Sequence, residues 1–204
     1  MQVALPPQAD LRSAEILGLV RQTFVDKGFD GASMQDLARA AGMSVGNFYR
    51  YFPAKSAIIQ GLILRDLADI QRDFAAIIGS ASPMVSLRQV MRLRLFEACN
   101  PHDHALWSEI DAAARRSPDI GAAAHQMESA IVNNLTAVFA AETGLTQNEA
   151  YLQFSASAAY IMVLFKAASC LNCAAELDQT RVRTMILATI DHALDDVLLS
   201  ARKA

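Results

Sequence analysis

SMQDLARAAGMSVGNFYRYFPAK, residues 33–55, spells two short helices around a glycine turn, the second polar and aromatic where a core helix would be aliphatic. Met34, Leu37, Ala38 and Ala41 follow the i, i+3, i+4, i+7 spacing that gathers side chains on one helical face. The start is marked: the Ser33 hydroxyl is placed to accept from an early backbone N–H. Asp36, three residues on, completes a capping-box pair where the helix dipole favours negative charge. Gly42 stands where the chain must reverse, because a residue without a Cβ takes a left-handed conformation at no steric cost. Ser44 then caps the second helix. On that helix Phe48 and Phe52 share one side, Gly46, Asn47 and Arg50 centre opposite, and Tyr49 and Tyr51 flank them.

Two short helices joined by a tight glycine turn make a helix-turn-helix, whose second helix fits the major groove of B-DNA. Asn47 can pair with an adenine edge, and Arg50 can fork onto a guanine or a phosphate. Gly46 lets the backbone approach the groove, and Val45 can meet a thymine methyl. Ser33, Tyr49, Tyr51 and Lys55 carry groups suited to phosphate oxygens, which fix register without reading sequence. Gln35 and Ser44 complete the expected DNA-contacting set.

Upstream, residues 16–29 (ILGLVRQTFVDKGF) carry one apolar stripe, Ile16, Leu17, Val20 and Phe24, and Gly28 followed by Phe29 suits a glycine stop with Phe29 folding back on Phe24. The combined block resembles the DNA-binding domain of the tetracycline-repressor (TetR) family of bacterial transcription regulators. The likeness rests on Gly28, the Asp36-Leu37-Ala38 step, Ala41-Gly42, Tyr49, Phe52 and Lys55 at the family's spacings. Where many members have histidine before the closing phenylalanine, this chain has Tyr51.

The chain has 204 residues, a length that holds one or two domains and buries a substantial core. Its net charge of −3 is unlike that of a protein that coats nucleic acid indiscriminately. Residues 1–57 are net +1 and the remainder −4, so the DNA-facing part is the less acidic one. A weak local field leaves specificity to dimeric docking and a few contacts, with affinity falling as salt rises. No apolar N-terminal segment with a basic flank marks export, and Cys99, Cys170 and Cys173 are an odd set. Both features fit a reducing cytoplasm. Residues 1–10, broken by Pro6 and Pro7, read as a flexible tail, 11–55 as the DNA-binding domain and 56–204 as an effector-binding and dimerisation domain.

Beyond residue 55 no window alternates as a half-buried strand does, and helical pattern fills 56–78, 85–99, 103–116, 119–143, 146–171 and 180–202. The reading is all-α with nine helices, an order that also resembles the whole family architecture. The last helix carries a wide apolar stripe that requires a partner, and the one before it is apolar nearly all round. In the family the last two helices form a four-helix dimer interface. The resemblance therefore implies a homodimer through Ala158, Met162, Met185, Ile186, Ile190, Leu194 and Val197, docked on a palindromic double-stranded DNA operator. A rival reading makes 151–171 a bilayer span, against which Lys166 at its centre and the lack of an aromatic belt both count.

The resemblance also implies an effector cavity in the middle helices. Phe96, Trp107, Ile110, Met127, Ile131 and Tyr160 are candidate walls for a small apolar effector, with ordinary core packing as the plain alternative. Cys99, His102 and His104 gather metal-ligand types at a helix junction, which leaves a metal- or redox-responsive regulator as the alternative. Cys170 and Cys173 form a lone CxxC without a partner pair, read as packing or as redox-sensitive. No nucleophile elbow, Walker loop, dinucleotide fingerprint or metalloprotease helix is present, and Glu109 with Asp111 reads as a solvated helix face. The expected protein is a repressor released from its operator by an effector, with no catalytic role and no cofactor.

Overall fold

A computed structural model describes the backbone of residues 7–96, 101–169, 171 and 178–201. Among these residues there is no strand, and nine helices follow in order: α1 (Pro7–Gly31), α2 (Met34–Ala40), α3 (Val45–Tyr51), α4 (Lys55–Ile78), α5 (Pro83–Phe96), α6 (Pro101–Ala114), α7 (Pro118–Thr143), α8 (Gln147–Ser169) and α9 (Gln179–Ala201). Four of them, α1, α5, α6 and α7, open on a proline. Proline suits the first helical turn, where its missing N–H would have had no partner and its fixed φ is already helical. The same chemistry corrects the expectation for the tail, since residues 7–10 are helical and belong to α1.

The chain divides into two compact units, with boundaries inside α4 and α7. The first comprises Met1–Leu67 and Pro101–Met127. In it α1 packs against α6 and α2, and α2 against α3. The apolar stripe of α1 (Ile16, Leu17, Val20 and Phe24) is buried, together with Leu37, Ala38 and Ala41 before the turn and Phe48 and Phe52 after it. Phe24 and Phe29 stack with centroids 6.2 Å apart, and Phe48 meets Phe52 at 5.8 Å. These aromatic pairs add to a core that also buries aliphatic residues such as Ile58, Leu62 and Leu106.

The second unit comprises Ala68–Asn100 and Glu128–Ala204. Here α8 packs along α9, and α5 lies against both. Its core joins Phe74, Leu87, Leu135, Phe139, Phe154 and Ile161 with residues of α9. Phe139 and Phe154 meet edge to face at 6.1 Å. Arg88 of α5 bridges two turns of α9, reaching Asp191 at 2.7 Å and Asp195 at 2.6 Å. No helix among the described residues, α8 included, is long and apolar enough to cross a membrane.

The expected dimer residues need correction at this point. Ala158, Ile190, Leu194 and Val197 are at most 1% exposed, because they fill the core of their own unit. Met162 and Ile186 are partly buried against the same core. Of the seven, Met185 alone is exposed. The outward stripes are instead Leu152, Tyr160 and Val163 on α8, and Met185 and Leu199 on α9. On α8, apolar nearly all round, Ala150, Phe154, Ala158 and Ile161 turn inward, and a second apolar stripe is left outside.

Candidate nucleic-acid interface

The helix-turn-helix is built by local chemistry. Ser33 and Asp36 form a full capping box: the Asp36 N–H donates to Ser33 Oγ at 3.1 Å, and the Ser33 N–H donates to Asp36 Oδ2 at 3.0 Å. The Ser33 hydroxyl donates to the same carboxylate oxygen at 2.6 Å, so its one proton is committed inside the cap. Lys27 of α1 reaches the other oxygen of Asp36 at 2.7 Å and so ties α1 to the start of α2. The Lys27 ammonium and then the Ser33 groups hold the Asp36 carboxyl well below the usual carboxylate range. Gly42 has φ of 65°, the left-handed value the reversal requires, and Ser44 Oγ accepts from the Asn47 N–H at 3.4 Å to start α3.

With Phe48 and Phe52 buried, the rest of α3 is turned outward. Val45, Gly46, Asn47, Tyr49 and Arg50 are exposed, as are Gln35 and Ser44, while Tyr51 is half-buried. Among the described residues the side chains of Gln35, Asn47, Tyr49 and Arg50 enter no hydrogen bond or ion pair, leaving amides, a hydroxyl and a guanidinium on one surface. Gly46 is informative in another way. A Cβ built on it meets nothing within 4 Å, so nothing inside the chain requires glycine there. Glycine within a helix costs about 0.5–1 kcal/mol relative to alanine, and the fold gains nothing in exchange.

Lys55 is placed differently from its expected phosphate role. Its ammonium donates to the carbonyls of Phe29 at 2.8 Å and Asp30 at 3.2 Å, and lies 5.0 Å from the centre of the Phe29 ring. Lys55 is thus first a clamp on the end of α1. Glu109, expected on a solvated helix face, is instead half-buried and accepts the Phe29 N–H at 2.7 Å.

Residues 16–62 match the family model for bacterial regulatory proteins of the tetR family. Over that span the chain is similar to the DNA-binding domain of TetR-family regulators. The HTH-type transcriptional regulator EthR of Mycolicibacterium smegmatis is 38% identical over 85 residues, which are 41% of this chain and 39% of that protein. The transcriptional repressor KstR2 of the same organism is 28% identical over 116 residues, 56% of each chain. These matches span less than two thirds of either relative. A solved structure of Salmonella enterica GusR has the same fold, with a TM-score of 0.65, 23% identity, and coverage of 94% of this chain and all of that one.

The six expected effector-lining residues fall in both units. Trp107, Ile110 and Met127 belong to the first unit, and Phe96, Ile131 and Tyr160 to the second. Ile110 and Met127 are buried, and Phe96 and Ile131 pack on clusters of the second unit's core. Tyr160 is 50% exposed on the outward stripe of α8, which removes it from the set of pocket walls. A shallow cleft of about 280 Å³ between α4 and α5, lined by Asp73, Ile77, Gln89 and Val90 among others, uses none of the six. The metal alternative falls outside the described residues: Cys99 is not described, nor are the side chains of His102 and His104, and Cys170 and Cys173 are also outside.

Proposed function

We propose that this chain is a homodimeric, ligand-responsive transcriptional repressor that reads DNA through α3. The carrying observation is the outward face of that helix, where Asn47, Tyr49 and Arg50 stand free beside a glycine that the fold does not require. An amide and a guanidinium in the major groove can each make paired hydrogen bonds to a base edge, contributing about 1–3 kcal/mol of discrimination. Tyr49 and Tyr51 donate to phosphates and set the register. Gly46 lets the helix axis lie closer to the groove floor than a side chain would permit.

One such head makes few contacts and carries little net charge, so a single copy binds weakly. A second copy, joined through the outward stripes of α8 and α9 and not through Leu194 or Ile190, places two α3 helices about 34 Å apart on successive turns of a palindromic site. The repressor sign is adopted from the family resemblance and from the relative named a repressor. A small apolar effector that favours the non-binding arrangement by about 1–3 kcal/mol lowers operator affinity 5- to 150-fold. In this reading the shift passes through α4, which has residues in both units.

The test is selection of bound duplexes from a random library, repeated with candidate effectors. Recovery of a palindrome with half-sites about one helical turn apart supports the reading. A purified chain that retains no duplex at low salt ends it.

A further inference from the structure

Helix α1 is interrupted at Gly28, whose φ of 70° and ψ of 170° are open to glycine and strained for any other residue. After that break the backbone needs new partners for its N–H groups, as any helix start does. The Phe29 N–H finds one 80 residues along the chain, in Glu109 Oε2 of α6 at 2.7 Å. The fit is close, since a Cβ on Gly28 would sit 3.0 Å from that same oxygen. The carbonyls of Phe29 and Asp30 meanwhile accept from Lys55, and the Asp30 carboxylate pairs with Arg116, just past α6, at 3.1 Å. Three residues after Asp30 stands Ser33, the cap of α2. The peptide leading into the helix-turn-helix is therefore held at its N–H by α6 and at its C=O by the start of α4.

We infer that Glu109 is a positioning residue for DNA docking: its carboxylate caps the broken end of α1 and sets the angle at which α2 and α3 meet the duplex. This rests on the DNA-binding reading above and adds to it that the working head extends beyond residues 11–55 to include α6. The physical requirement is reach. An acceptor oxygen must arrive at the Phe29 N–H, and a glutamine keeps that oxygen while losing the charge. An aspartate keeps the charge but withdraws the oxygen by one methylene.

The experiment compares full-length Glu109→Gln, Glu109→Asp and Glu109→Ala by affinity for the selected operator, sedimentation, and amide exchange at Phe29. The cap predicts that Gln binds within a few-fold of wild type and that Asp and Ala each lose about tenfold or more, with dimer mass unchanged. Phe29 exchange should be slow in wild type and Gln, and fast in Asp and Ala. Ala binding as tightly as wild type, or Asp outperforming Gln, overturns the inference. If Ala proves too unstable to assay, the order of Gln and Asp still decides. Should wild type ignore every duplex, the DNA reading fails alone, and a fast Phe29 amide in wild type would separately sink the cap.

Discussion

Helix α3 and helix α9 both carry residues assigned to binding, yet they divide inside from outside in opposite ways. In the seven-residue α3, Phe48 inside the helix and Phe52 at its C-cap cover the buried side, so most of what else it carries faces out, and most of that is polar. In α9, 23 residues long, a wide apolar stripe fills the core while Met185 and Leu199 remain exposed on another side. A short helix with few core positions declares its outward chemistry. A long helix with apolar residues on both sides conceals which of them a partner would touch.

The sharpest way to break this contrast is to charge each side of the α8–α9 pair in turn. Leu194 is fully buried, so Leu194→Asp strands a carboxylate in the core and should destabilise the chain by on the order of 4 kcal/mol or more, read as a fall in urea midpoint. Val163 is 58% exposed, so Val163→Asp should yield monomers in sedimentation and lower the midpoint only by the concentration-dependent contribution of dimerisation. A Leu194→Asp protein that is stable but monomeric would reverse the two assignments.

Next in size are the α3 contacts. Asn47→Ala and Arg50→Ala should each weaken operator binding by roughly 1–3 kcal/mol and relax preference at one base pair, with melting temperature and dimer mass preserved. Wild-type affinity in both would detach α3 from the groove. A smaller and more diagnostic change is Gly46→Ala. It should raise stability by about 0.5–1 kcal/mol through helix propensity while lowering DNA affinity, two effects of opposite sign from one methyl. If affinity and stability rose together, the close approach assigned to this glycine would be wrong.

How much of this was legible in the residues follows the range of the forces involved. The capping box, the Gly42 reversal and the inward phenylalanines are settled within a few residues of one another, so the sequence pattern displays them. Glu109 was read as a solvated face because its partner is a backbone N–H, which no side-chain periodicity announces; the Gly28 break was the available signal that an N–H there would need an acceptor. The charge of Lys55 points to phosphate, whereas its nearer acceptors are the two carbonyls at the end of α1. The dimer face was misplaced because hydrophobicity marks burial without saying whether the chain's own core or a second copy provides it. Effector walls fared least well, since large apolar residues belong to every core.

The smallest expected effect separates the polar head from the apolar pair by pH. Asp36 is held ionised by Lys27 and Ser33, so its folded pKa lies below the unfolded value of about 4. A depressed carboxylate contributes stability that is complete above the unfolded pKa and is lost as pH falls toward the folded one. Wild type should therefore exceed Asp36→Asn in stability at about pH 5, and the gap should narrow by about pH 3 as the unfolded-state advantage disappears. The charge lies near solvent and salt screens it, so added salt should shrink the gap as well. The Val163→Asp variant, examined in parallel, should keep the wild-type sensitivity, because the Lys27–Asp36 pair lies in the other unit. A gap between wild type and Asp36→Asn that stayed constant from mild to strong acid would mean that the ion pair does not fasten α1 to α2, and the head would then depend on its apolar core and caps.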